Sequence, residues 1–290
     1  MTVKGCEYML IRIITGLSAI IAAVVCACTG AFENMMWCWM MPVGFLAAFL
    51  LLALIAFAVL LIACAVVDPD KPREKDSRFY RILTHVCVEA VLMFARIHVH
   101  TQGLEKTPKS GRFLLVCNHL HEADPVILLQ YFYKSQLAFV SKQENRNMFL
   151  VGKIMPMLLC PLINRENDRE ALKTILRCIH LLKENKVSIG IFPEGYIRPD
   201  RKLHEFRPGV FKIAQKANVP IVVCTIRDTQ YVVKNFLKLK PSHVELHLLD
   251  VIPAEELQGK TTVEIAEKIH AMMAQDLGED YLPAPSEEST

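Results

Sequence analysis

His119 and Asp124 stand five positions apart in Asn118-His119-Leu120-His121-Glu122-Ala123-Asp124-Pro125, a spacing at which a loop can fold an imidazole back onto a carboxylate. Such a pair suits general-base catalysis. The neutral imidazole takes a proton from a hydroxyl, while the carboxylate fixes its tautomer and stabilises the imidazolium that forms. That step is typically worth about 10² to 10⁴ in rate. Upstream, residues 112–117 read as a short buried strand, and downstream Val126 to Phe132 read as an apolar helix with Asp124 as N-cap and Pro125 at its first position. A strand that turns sharply into a capped helix leaves its connecting side chains in a cleft at the strand's C-terminal end, where α/β proteins bind ligands. An isolated His and Asp of this kind are more often a loop histidine and a helix cap, so the chemistry needs support from elsewhere in the chain.

Two further stretches place polar groups where a core would not choose them. Leu162-Ile163-Asn164-Arg165 ends an apolar run with an arginine, and Ile189-Gly190-Ile191-Phe192-Pro193-Glu194-Gly195 ends a strand with a carboxylate and a glycine. The planar fork of an arginine suits phosphate oxygens, and a glycine lets backbone approach a ligand closely. Taken singly, Arg165 reads equally as a surface ion pair and Glu194-Gly195 as a turn. If all three stretches end strands of one parallel sheet, they converge on a single edge.

The elements needed to do this are legible. Strand-like segments at 97–101, 113–117, 137–141, 187–192, 220–226 and 244–249 alternate with helical stretches such as Asp168 to Glu184 and Thr262 to Leu277. This alternation argues for an α/β domain, a mostly parallel core sheet flanked by helices, over residues 78–275. Residues 78–97 read as an amphipathic helix with Arg81, His85, Glu89 and Arg96 on its polar side, lying on a bilayer surface or against the domain.

Hydrophobic residues make up 52% of the 290, more than a soluble domain of this size usually carries, and the excess sits at the front. Residues 13–32 contain no charge, and 40–67 form a 28-residue uncharged run. Both exceed the roughly 18 residues that mark a membrane span. Residues 1–67 therefore read as a transmembrane helical hairpin with helices at about 11–32 and 40–67. Lys4 and Arg12 precede it, while Lys71, Arg73, Lys75, Arg78 and Arg81 follow it. The positive-inside rule then places both termini and the α/β domain in the cytoplasm. A cleaved signal peptide is the competing reading of the first run, weakened by the longer run behind it. Residues 68–77 read as a polar linker and 276–290 as an acidic, flexible tail.

Ten cysteines are scattered without a CxxC pair and read as reduced thiols. The net charge is only +3, but residues 198–240 hold ten Lys or Arg against three Asp or Glu. That section could face anionic lipid headgroups or simply be a solvated basic face. No nucleic-acid partner is expected.

Together these stretches resemble a known family. Asn118-His119 followed by Asp124 matches the NHx₄D block of the glycerolipid acyltransferases. Ile163-Asn164-Arg165 resembles their second block, Phe192-Pro193-Glu194-Gly195 their third, and Val219-Pro220-Ile221-Val222 their fourth, in order and at agreeing spacing over residues 78–250. The chain is most similar to the bacterial 1-acylglycerol-3-phosphate acyltransferases. The resemblance implies the glycerol-3-phosphate acyltransferase-like fold and transfer of a fatty acyl group from a thioester, on coenzyme A or acyl carrier protein, to the free hydroxyl of lysophosphatidic acid. No cofactor is implied beyond that acyl donor. It further implies His119 as base, Asp124 as its orienter, Asn118, Arg165, Glu194 and Gly195 as substrate-binding, and Pro220 as shaping the acyl site. One departure stands out. The third block commonly continues Gly-Thr-Arg-Ser, whereas here Gly195 is followed by Tyr196-Ile197-Arg198, so Arg198 is expected to supply the charge missing at Ile197. Lys202 and Arg207 are weaker substitutes. With no GxSxG elbow in the sequence, direct attack by the acceptor hydroxyl is expected rather than an acyl-enzyme.

Two rivals belong to other classes. His119, His121, Glu122 and Asp124 could be ligands of a metal hydrolase, although no second His or Cys cluster completes such a site. Alternatively, the chain could be a membrane-bound binding protein that kept the fold without the chemistry. Within the acyltransferases, a different lysophospholipid or glycerol 3-phosphate is the alternative acceptor.

Overall fold

Uncharged runs of Leu, Ala, Ile and Val become helices here, since a helix satisfies its own backbone hydrogen bonds along its length. The computed structural model, which describes residues 9–164 and 166–283, divides into two units between Asp68 and Pro69. The first holds α1 (Met9–Cys28) and α2 (Trp37–Ala65), both long and apolar enough to cross a membrane. They suggest membrane association. Small residues set their approach: a Cβ on Gly44 would lie 3.6 Å from the Cβ of Ala22. Each helix begins a few residues before the expected boundary, so Trp37 and Trp39 lie in the first turn of α2.

The second unit runs through α3 (Arg78–Phe94), β1 (Ile97–Gln102), β2 (Leu114–Cys117), α4 (Asp124–Tyr131), β3 (Leu137–Phe139), β4 (Ser141–Lys142), α5 (Val151–Met157), β5 (Leu162–Ile163), α6 (Asp168–Lys183), β6 (Ser188–Ile191), α7 (Lys212–Ala217), β7 (Ile221–Arg227), α8 (Val232–Leu237), β8 (Ser242–Ile252) and α9 (Thr262–Leu277). Six strands form one sheet in the order β1-β8-β7-β2-β6-β3, and β4 pairs with β5 in a separate ribbon. Every pairing in the large sheet is parallel except β7 with β8.

Central β2 is wholly buried, and its alternate side chains feed two cores. Leu114 and Val116 pack with Ile189, Ile221 and Val223 beneath α6, α7 and α9. Leu115 and Cys117 pack with Val222, Cys224 and Val244 beneath α3 and α4. Each large aliphatic side chain buried in this way contributes roughly 1.5–3 kcal/mol. Helix starts follow capping chemistry: the Asn167 side chain accepts the N–H groups of Arg169 and Glu170 at α6, and Thr261 with Glu264 forms a capping box at α9.

The linker is held in place, and two expectations are corrected. Residues 68–77 carry no regular element but are pinned to the domain. Asp76 pairs with Arg81 at 2.7 Å, and Glu74 pairs with Arg177 and Lys186, which hold its carboxyl down to about 2. At the other end, Asp276 is no part of a loose tail: it lies in α9 and accepts from the Thr225 hydroxyl at 2.6 Å and from His247 at 3.0 Å. The Tyr281 hydroxyl likewise donates to Asp228 at 2.8 Å; residues 284–290 lie outside the described part. Finally, α3 buries two charged residues beside its apolar Tyr80, Val88 and Leu92. Arg81 and Glu89 are buried, while Phe79, Ile82, Val91 and Phe94 are exposed. Arg81 can be buried because Asp76 and the Leu137 and Leu158 carbonyls satisfy its guanidinium.

Candidate active site

Parallel strands bring their C-terminal ends to one edge, and the His119 loop leaves β2 there. Asn118 fixes the take-off point. Its Nδ2 donates to the Ile226 carbonyl at 2.9 Å, and its Oδ1 accepts the Ile226 N–H at 2.8 Å. Fully buried and with both ends of its amide occupied by β7, Asn118 supports the site instead of touching a substrate, which corrects the role expected for it.

Asp124 is the first residue of α4, yet its side chain does not cap that helix. Its Oδ2 turns back to accept from His119 Nδ1 at 2.8 Å and from the N–H groups of Leu120 at 2.7 Å and His121 at 2.9 Å. The helix-cap reading therefore gives way: this carboxylate, wholly shielded from solvent, organises the loop and holds the ring. With Nδ1 committed, Nε2 is the nitrogen left to face a substrate, and it makes no hydrogen bond among the described residues.

The imidazole is also held by its face. Its ring stacks on Phe192 at 3.9 Å and 11°, and Phe192 stacks on Phe139 at 5.2 Å and 12°. Gly190 makes room for this column, because a Cβ there would lie 2.5 Å from the Phe139 ring. Phe192, Phe139 and Gly190 thus position His119, although sequence reasoning gave Phe192 no role; an aromatic residue directly after β6 and before Pro193 is the available signal.

Glu194 is drawn in beside the loop. Its Oε1 accepts the His119 N–H at 2.9 Å and its Oε2 accepts the His204 N–H at 3.2 Å. Burial raises its pKa to about 7, partly offset by those two donors. Gly195 follows at φ +90°, and a Cβ there would also strike Arg207 Nε at 2.9 Å. The exposed Arg207 guanidinium thus lies over Gly195, the residue after the carboxylate that holds the His119 N–H. Arg201, which the sequence reading passed over, donates to the Leu120 carbonyl at 2.5 Å. Arg198 instead sits over the Tyr196 ring at 4.3 Å.

Two expected residues stand apart. Arg165 lies outside the described residues; its neighbour Asn164 bonds Glu170 at 2.8 Å. Pro220 precedes β7, and its carbonyl accepts the Leu114 N–H at 3.0 Å. It therefore occupies the N-terminal edge of the sheet, roughly 17 Å from the level of Asn118 at about 3.3 Å per residue. The expected part of Pro220 in shaping the site is corrected accordingly, since strand direction puts it at the wrong end.

Cys117 adjoins the loop, but burial pushes its thiol well up, which removes it as a nucleophile. No group of three or more His, Cys, Asp or Glu able to hold a metal occurs among the described residues. His121 turns its Nδ1 to the Ala123 N–H at 3.1 Å.

Residues 98–227, which contain the His119 loop, Glu194 and β7, match the Acyltransferase family model. Over those residues the chain is similar to the acyltransferase family. Over 188 residues it is 26% identical to the 1-acyl-sn-glycerol-3-phosphate acyltransferase of Borreliella burgdorferi, an alignment spanning 63% of this chain and 74% of that protein. The protein of that name from Saccharomyces cerevisiae is 24% identical over 190 residues, or 64% of this chain and 61% of the relative. The acyltransferase fold is also shared with a crystal structure, that of the 1-acyl-sn-glycerophosphate (LPA) acyltransferase PlsC from Thermotoga maritima. Its TM-score is 0.57 at 19% identity, covering 79% of this chain and 90% of that one.

Proposed function

We propose that the protein transfers a fatty acyl group from a thioester, on coenzyme A or acyl carrier protein, to the free hydroxyl of lysophosphatidic acid, giving phosphatidic acid. The observation that carries this reading is the 2.8 Å bond from His119 Nδ1 to buried Asp124, which leaves Nε2 as the proton acceptor. The acceptor hydroxyl gives its proton to Nε2 as its oxygen attacks the thioester carbonyl. The tetrahedral intermediate then expels the thiolate, which takes the proton back from the imidazolium. Asp124 holds the tautomer and balances the transient positive charge. No enzyme nucleophile and no cofactor enter this scheme.

The phosphate of the acceptor is assigned to the basic residues around Gly195. Arg207, over Gly195, and Arg201, on the Leu120 carbonyl, are the two that the geometry offers, with Arg165 and Arg198 added from the family resemblance. The names of the relatives in Borreliella burgdorferi and Saccharomyces cerevisiae support this acceptor. We assign α1 and α2 as a multi-pass anchor in the cell membrane with the domain on the cytoplasmic side, because five Lys or Arg follow α2 within residues 71–81. The test is thiol release from an acyl thioester with a panel of lysolipids and glycerol 3-phosphate, with products identified by mass spectrometry. Phosphatidic acid formed from lysophosphatidic acid is expected. Release that does not depend on any acceptor, or that a chelator abolishes, would overturn the reading.

A further inference from the structure

Short helix α8 leaves the sheet at the C-terminal end of β7, the edge from which the His119 loop also emerges. Little of it is buried. Val233 and Phe236 are half exposed, and Leu237 and Leu239 are 76% and 79% exposed. Leu239 adopts φ +54°, a region in which Gly or Asn would be less strained, yet a leucine is kept there and projects outward. Between Thr229 and Pro241 the charges are Lys234, Lys238 and Lys240, with no acid.

The patch continues onto α3. Arg96, just beyond that helix, donates to the Leu239 carbonyl at 2.8 Å, and the Arg96 carbonyl accepts the Ser242 N–H at 3.0 Å. The outward apolar residues Val91 and Phe94, the latter 63% exposed, therefore adjoin the end of α8. The parallel register of β1 with β8, from Ile97 against Ser242, puts this junction on the same sheet edge as the site. Two to three strand spacings, about 10–15 Å at roughly 4.8 Å each, separate it from β2.

We infer that this edge is a bilayer-docking surface: α8 and the end of α3 insert apolar side chains at the headgroup boundary, and Lys234, Lys238, Lys240 and Arg96 hold anionic lipid. Apolar residues ringed by lysines, without acids, are the composition that binds an anionic interface. A two-fold contact of this patch with itself would set lysine against lysine. Docking here sets the His119 edge against the layer in which a lysolipid resides, so the inference rests on the proposed acceptor being membrane-borne.

The test uses the full chain in vesicles, with Trp37→Phe and Trp39→Phe removing the two native tryptophans and Leu237→Trp placing one indole on α8. In vesicles containing phosphatidylglycerol the indole emission is expected to shift blue and to be quenched by brominated lipid. Replacing Lys234, Lys238 and Lys240 by Gln should weaken that quenching, by about fivefold in partitioning for each charge removed. Emission typical of water with free quenching by iodide would overturn the inference. So would burial that follows protein concentration rather than lipid, which would mark a second copy, and so would equal quenching in neutral and anionic vesicles. In a second arm, Leu237→Glu with Leu239→Glu should slow turnover of bilayer-resident lysolipid and leave a short-chain, water-soluble lysolipid unaffected; equal slowing of both would also overturn it. If the unmodified chain acylates no acceptor at all, the proposed activity fails, while the indole measurement still decides the surface.

Discussion

Glu194 Oε1 accepts the backbone N–H of His119 at 2.9 Å, so the carboxylate of the third block holds the histidine of the first. Burial raises this carboxyl to about 7 in the folded chain, above the usual value of about 4.3 in an unfolded one. A folded state that binds the proton more tightly is favoured at low pH. The stability contributed is fully present below about pH 4 and is lost as pH rises through about 7, at most about 4 kcal/mol. Replacing Glu194 by Gln should remove that pH dependence. Denaturation of both proteins at pH 5 and pH 8 measures it; an unchanged pH difference in the variant would show that Glu194 does not titrate this way.

Asp124→Asn should lower kcat by about 10² to 10⁴. An amide in place of Oδ2 cannot serve His119 Nδ1 and the Leu120 and His121 N–H groups together. Single-turnover rates on protein shown to be folded by circular dichroism provide the check, and a loss under threefold would remove Asp124 from the chemistry.

Gly190→Ala puts a methyl group 2.5 Å from the Phe139 ring, and the displacement passes through Phe192 to His119. Stability should fall by about 1–3 kcal/mol from overpacking, and kcat by roughly tenfold or more from misplacement of the ring. The KM for acceptor should stay the same. A change in KM alone would mean that the aromatic column serves binding.

Asn118→Ala leaves the Ile226 N–H and carbonyl without their partners. The expected cost is about 3 kcal/mol of stability, since each unpaired buried group costs roughly 1–3 kcal/mol. Urea denaturation gives the value. A stable variant with a raised acceptor KM would return Asn118 to the substrate.

Much of this was legible in the residues, for identifiable reasons. Leu114 to Cys117 is apolar throughout because both faces of β2 are covered, and a buried strand followed by a polar loop announces its own site. What escaped depended on relations between segments. The Pro220 block looks like part of the site until strand direction places it at the opposite edge. Arg81 and Glu89 read as a wet helix face because nothing local reveals the partners that satisfy Arg81. Arg201 is one of many basic residues between 198 and 240; only the fold brings it to the Leu120 carbonyl. The antiparallel pairing of β8 was equally hidden, since periodicity carries no strand direction.

Arg207→Ala should raise the apparent KM for a phosphorylated acceptor by about 10- to 100-fold, the loss of one charge-assisted hydrogen bond, and leave that for the acyl donor unchanged. Initial rates with each substrate varied in turn test this, and equal effects on both would take the phosphate away from Arg207.

The most direct measurement is acyl transfer to lysophosphatidic acid by His119→Ala, with folding confirmed by the same thermal transition as the unmodified protein. The account predicts loss of thiol release and of phosphatidic acid to background. A folded His119→Ala protein turning over at the unmodified rate would contradict it.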